Sequence, residues 1–126
     1  MVTDLGKELR KLRIDKGETL LDMSKKLDIS ISYLSAIENG VREIPVDFIE
    51  KITSAYHLPE NKKKELEIAE ANSANKVTIS LNATLNEQRQ LAYMLSRKLK
   101  DLSTDDCEKI IKLLEEDAWA TVKQKH

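Results

Sequence analysis

The sequence is short of most residues that do chemistry. Its single cysteine, Cys107, cannot form an internal disulfide, which fits a reducing, cytoplasmic setting. Its two histidines, His57 and His126, neighbour no metal-ligand pattern. With three glycines in 126 residues, it has no phosphate-binding glycine loop. These gaps argue against an enzyme and against a bound metal or cofactor. No run of ~18 apolar residues is present, and no leader pattern follows Met1, so no membrane segment is expected. The sequon Asn82-Ala83-Thr84, without a secretory signal, reads as chance. Aromatic residues are 4% and prolines number two, which leaves little for a β-sandwich or a loop-rich fold and favours helix.

What the chain has is Leu, Ile, Lys and Glu. Apolar residues are 40%, enough for a core, and charged residues are 34%, enough to solvate the outer faces of helices. Net charge is −1, and the first 58 residues hold nine Lys/Arg against ten Asp/Glu. The N-terminal half therefore has no general basic character, and any affinity for nucleic acid has to come from local phosphate contacts.

The stretch from Thr19 to Gly40 is the most informative. Thr19 is an N-cap type with Asp22 three residues on, a capping box with Asp in place of Glu or Gln. Leu20, Met23 and Leu27 share one helical face. Asp28-Ile29 makes a turn, Ser30 caps a second helix over 31–39, and Ile29 with Leu34 forms a hydrophobic staple. Gly40 ends that helix where a positive φ is cheap. Leu34 and Ile37 point inward, leaving Ser32, Ser35, Ala36 and Asn39 on an outer face that is small, polar and uncharged. Such a helix suits a DNA major groove. An ordinary helical hairpin with a solvated face fits the spacing equally well.

Elsewhere, Leu5, Leu9 and Leu12 form the stripe of a first helix over 4–16, stopped by Gly17, with Arg10, Arg13 and Ile14 off it. Pro45 fits the first turn of a fourth helix with the stripe Val46, Ile49, Ile52 and Tyr56, flanked by Phe48 and Ala55. A fifth helix spans roughly 60–72 around Leu66 and Ala69. Asn72-Ser73-Ala74-Asn75 reads as a linker. Residues 76–81 alternate polar and apolar, with Val77, Ile79 and Leu81 on one face, and predict a short strand. Two more helices follow, at roughly 84–102 (Leu85, Leu91, Ala92, Leu95, Leu99, Leu102) and 104–120 (Cys107, Ile110, Ile111, Leu114, Ala118, with Trp119 on the flank). Ser103 caps the second, with Asp106 at its third position. A lone strand is unstable, so the expected partner is the same strand from a second copy.

LGKELRKLRIDKG (5–17), ETLLDMSKKLDIS (18–30), YLSAIENG (33–40), IP (44–45) and FIEKI (48–52) together resemble the lambda-repressor-like helix-turn-helix family, the repressor/Cro or XRE type, over residues 5–58. The resemblance implies an all-α fold with a five-helix DNA-binding domain at 1–70; the residue pattern beyond it, the short strand and two C-terminal helices, is expected to form a dimerisation module at 76–126. It implies a homodimer on double-stranded DNA, a sequence-specific regulator of the repressor kind at a pseudo-palindromic operator. Base contacts carried over by position fall on Ile31, Ser32, Ser35 and Ala36, and phosphate contacts on Thr19, Tyr33, Asn39 and Arg42; Tyr33 sits at the edge of that face, where core packing fits as well as a hydroxyl contact to phosphate. Family members pair an Arg late in the first helix with the Glu after the third helix's apolar pair, here Arg13 and Glu38. The Gln that often follows the second helix's cap is Leu20 here, and the usual turn glycine is Asp28. Dimerisation is expected through Val77, Ile79, Leu81, Leu95 and Leu99. The rival readings are an antitoxin that represses its own operon and binds a toxin, and a protein-interaction module that keeps the fold and meets a protein partner such as an antirepressor.

Overall fold

Short-range capping sets most of the helix boundaries in a computed structural model that describes residues 1–115. α1 is Asp4–Lys16; Thr3 caps it, its hydroxyl accepting from the Gly6 N–H at 3.1 Å, and Gly17 ends it at φ 64°. α2 is Leu20–Lys26, opened by a reciprocal box in which Asp22 N donates to Thr19 Oγ1 and Thr19 N donates to Asp22 Oδ2. Asp28 takes the left-handed turn at φ 55°. α3 is Ile31–Glu38, capped by Ser30 and closed by Asn39 and Gly40. α4 is Phe48–Tyr56 and α5 is Glu60–Ser73.

These five helices make one unit, Met1–Val77. α1 packs on α5 and α3, α2 on α3, and α4 on α5. Leu5, Leu9, Met23, Leu27, Leu34 and Ile52 are wholly buried at the centre, with Ile37, Phe48, Ile49, Tyr56, Leu66 and Ala69 around them. Each of the Leu, Ile, Met and Phe side chains among them contributes about 1.5–3 kcal/mol. The start of α4 differs from the sequence expectation. Asp47 is left-handed (φ 61°), so the helix begins at Phe48 and not in the Pro45 turn. Val46 is consequently thrown out, 91% exposed, and Phe48 takes its place in the stripe. Residues 72–73 belong to α5, and Ser73 is structural: its hydroxyl accepts from Leu5 N at 3.0 Å and donates to Ala69 O at 2.7 Å.

A buried-edge cluster ties the entrance of α2 to α4. Tyr56 donates to Glu18 Oε2 at 2.8 Å, Lys26 donates to Glu18 Oε1 at 2.6 Å, and the Lys26 ammonium lies 4.4 Å from the Tyr56 ring centroid. The Lys26 hydrogen bond holds the Glu18 carboxyl below its ordinary value of 4.5 against an opposing effect of burial, with the Tyr56 bond helping. Burial, and then the Glu18 bond, push the Tyr56 hydroxyl well up. A depressed carboxyl stabilises the fold above its ordinary value, and that stability is lost as pH falls through the lower folded value. Glu18→Gln is thus expected to cost about 0.5–1 kcal/mol near neutral pH, with the gap to the parent closing below pH 4.5. Urea unfolding across this range checks it; a gap independent of pH contradicts it.

The second unit begins at Thr78. Residues 76–81 form no strand, which corrects the expectation of a strand before the last two helices. A strand needs a partner ladder, and no other extended segment among the described residues offers one. The end of the segment is instead turned locally: the Leu81 carbonyl accepts from Thr84 Oγ1 at 2.6 Å and from Arg89 Nη1 at 2.9 Å, and Ala83 is left-handed. The fold is all-helical over the described residues. α6 is Asn86–Lys98, continued by a 3-10 turn at Leu99–Asp101, and α7 is described over Thr104–Glu115. Leu85 precedes α6, its N–H donating to Gln88 Oε1 at 2.8 Å. Ser103 caps α7 reciprocally with Asp106. Ala118 and Trp119, expected on the α7 stripe, lie outside the described residues. No residue of α6 or α7 described here is buried. Leu91, Met94, Leu95, Leu99, Ile111 and Leu114 are all exposed.

Candidate nucleic-acid interface

α3 is held by its back. Leu34 and Ile37 are buried in the core, and Glu38 is 2% exposed at the helix end. Arg13 of α1 reaches that carboxylate with both guanidinium arms, Nη1 donating to Oε2 at 2.5 Å and Nη2 to Oε1 at 3.0 Å. This bidentate geometry suits the planar guanidinium. Arg10 adds Nε at 3.7 Å from Oε1, and Arg13 Nη1 also contacts Met23 Sδ at 3.3 Å. The Glu38 main chain is fastened as well: its carbonyl accepts from Thr3 N at 3.0 Å and Thr3 Oγ1 at 3.1 Å. α1 comes this close to the end of α3 because residue 6 is glycine. Sequence reasoning missed Gly6, Thr3 and Arg10 as parts of this brace. The available signal was a glycine inside a leucine-striped helix, a position that costs ~1 kcal/mol relative to Ala unless something needs the space.

The outer face of α3 is then presented in a fixed orientation. Ile31 and Ser32 are exposed; Ser35 and Ala36 are half-buried. Ser30 and Ser32 hydroxyls lie 3.4 Å apart. Asn39 Nδ2 donates to the Ser35 carbonyl at 2.8 Å and, more weakly, to the Ser35 hydroxyl at 3.5 Å, which holds the amide against the helix end. The face bears no charge and no long side chain, so it reaches base edges only by close approach and offers hydroxyls and methyl groups when it does.

The flanking positions differ in quality as anion sites. At the α2 N-terminus, Thr19 spends its N–H and a hydroxyl lone pair on Asp22. The Asp22 carboxyl is held ionised, below its usual range, first by the Thr19 backbone N–H and then by the Thr19 hydroxyl. That negative charge sits where a phosphate would come, which makes this end a poorer anion site than the helix dipole alone would make it. In the loop after α3, Arg42 is exposed, and its guanidinium carbon lies 5.5 Å from the Tyr33 ring centroid. Glu43 beside it is paired with Lys76 at 3.2 Å.

The residues assigned to dimerisation present apolar surface. Val77 is 77% and Ile79 58% exposed, Leu81 is half-buried, and Leu95 and Leu99 are exposed on α6 and the 3-10 turn that continues it. No helix among the described residues is long and apolar enough to cross a membrane.

Comparison with known proteins places this geometry. Residues 9–62 match the family model described as helix-turn-helix. Relatives include the HTH-type transcriptional regulator SinR of Bacillus licheniformis, 31% identical over 68 residues, which are 50% of this chain and 61% of that protein. The transcriptional regulator ClgR of Mycobacterium tuberculosis is 36% identical over 55 residues, 44% of this chain and 49% of ClgR. The HTH-type transcriptional regulator PrpR of the same organism is 38% identical over 53 residues, 42% of this chain and 11% of PrpR. The chain thus spans less than two thirds of the length of each of these relatives. No solved structure is a significant match. With the braced α3, its capped partner α2 and the matched span all in the first unit, residues 9–62 are a helix-turn-helix domain of the lambda-repressor-like, XRE type.

Proposed function

We propose that this chain is a sequence-specific DNA-binding transcriptional regulator that works as a homodimeric repressor, laying α3 in the major groove of each half of a pseudo-palindromic operator. The observation that carries the reading is the brace on α3: a short helix with an uncharged outer face, fixed behind by Leu34, Ile37 and the Arg13–Glu38 pair. A rigid helix with small side chains reads bases by close fit, and DNA shape supplies further discrimination. Ser32, Ala36, Ser35 and Ile31 meet base edges; Arg42 and Asn39 meet phosphates, and the α2 entrance at Thr19 adds only a weak contact because the Asp22 carboxylate stands beside it. Replacing Ser32 or Ala36 by Leu is expected to change which sequences are bound, by about 1–3 kcal/mol at the affected base pair. Selection from a random DNA pool checks it; an unchanged preference contradicts the docking.

The homodimer rests on the second unit. Among the described residues, α6 and α7 bury no side chain, so their apolar stripes are left to be covered. A second copy supplies matching surface: α6 carries three basic residues and one acidic, α7 four acidic and two basic. A two-fold pair also sets two recognition helices for half-sites about one DNA turn, roughly 34 Å, apart. Light scattering is expected to show a dimer for the full chain and a monomer, with weaker operator binding, for a chain ending at Val77. A full-length monomer at micromolar concentration contradicts the dimer. A stable one-to-one complex with a co-expressed toxin would favour the antitoxin reading in its place.

A further inference from the structure

Arg42 is anchored to α3 at both ends. Its N–H donates to the Ala36 carbonyl at 3.2 Å, alongside Val41 N at 2.9 Å, which pins the loop backbone to the end of the helix. Its guanidinium lies over the Tyr33 ring. That ring is itself fixed: Tyr33 is half-buried, packs on the core, and donates its N–H to the Ser30 cap at 3.1 Å. The acidic residue next to it in the loop, Glu43, is taken by Lys76. Among the described residues Arg42 has no carboxylate within salt-bridge distance, so its charge is directed by the ring alone.

We infer that Tyr33 is a positioning residue for Arg42, and that the aromatic face, not the phenolic hydroxyl, is what Tyr33 contributes to holding a DNA backbone phosphate beside α3. The inference rests on the DNA-binding reading above and assigns Tyr33 its part in it. An exposed arginine samples many rotamers; one stacked on a fixed ring presents its outer N–H fork in one place. This matters most in a domain with no basic surplus, where few phosphate contacts carry the affinity.

The test uses the full chain, a random-sequence duplex and a series of salt concentrations. Arg42→Ala is expected to reduce the slope of log affinity against log salt by about one. Tyr33→Phe should bind like the parent. Tyr33→Leu should weaken binding about two- to fivefold, the size of an exposed cation–π contact, and cost nothing more once Arg42 is Ala. In the free protein, the Arg42 side-chain protons should be shifted upfield by the ring in the parent and in Tyr33→Phe, a readout independent of DNA and of the Leu variant. Equal losses for Tyr33→Phe and Tyr33→Leu would mean that the hydroxyl touches phosphate and would overturn the inference. Multiplying losses for Tyr33→Leu and Arg42→Ala, or unshifted Arg42 protons, would overturn it too. A parent chain that binds no duplex under any salt removes the functional reading itself, whereas binding with independent losses removes only the role of Tyr33.

Discussion

Arg13→Ala is expected to lower unfolding stability by about 3–5 kcal/mol, the scale for breaking one side of a buried ion pair. The carboxylate left behind is 2% exposed, and its remaining cation, Arg10, stands at 3.7 Å with a side chain half in water. Attraction across that gap cannot replace the bidentate bond, so the Glu38 carboxylate is left buried without a close partner. Glu38→Gln keeps the shape and one acceptor, and should lose less than Arg13→Ala. The loss has a functional side. α3 is joined to α1 through this pair, so a variant that still folds should hold its recognition helix less firmly and bind DNA more weakly. Urea denaturation measures the first effect. A cost below ~1 kcal/mol would mean that the pair behaves as a solvated one.

Gly6→Ala reverses a general rule. In a helix interior the change normally gains up to ~1 kcal/mol. Here a Cβ would sit 2.3 Å from the Glu38 carbonyl oxygen, 3.0 Å from its carbonyl carbon and 2.9 Å from Val2 Cγ1. The first two are backbone atoms and cannot turn aside. Relief requires α1 to move off the end of α3, which lengthens the bonds from Thr3 to that same carbonyl. A net cost of about 1–3 kcal/mol, the scale for overpacking, is expected. Thermal unfolding gives the sign directly; a variant more stable than the parent shows that the approach of the two helices is looser than described.

The two sites also show what could be seen in the sequence. The caps at Thr19, Ser30 and Ser103 depend on residues three positions apart, and the buried face of α3 depends on a three- to four-residue period. Chemistry of that range is written locally, and the helix-turn-helix resemblance at 5–58 is a sum of such local signals. Gly6 against the Glu38 carbonyl, and Ser73 against Leu5, join residues 32 and 68 positions apart; no local pattern announces them. Asp47 misleads for a different reason: a Pro-initiated helix is the common case, and a left-handed Asp two residues later is not. Residues 76–81 mislead through their alternation, which describes a strand only where another strand lies alongside. The small outer face of α3 was legible as a face, but its chemistry, all hydroxyl and methyl, names no base.

Hydroxyl-radical footprinting of the full chain on DNA selected from a random pool tests the central claim most directly. The account predicts a symmetric selected sequence, with two protected patches on one face of the duplex about one turn, roughly 34 Å, apart, and a different selected sequence when Ser32 and Ala36 are replaced. A pool that yields no preferred sequence, or the same sequence with and without those replacements, would contradict it.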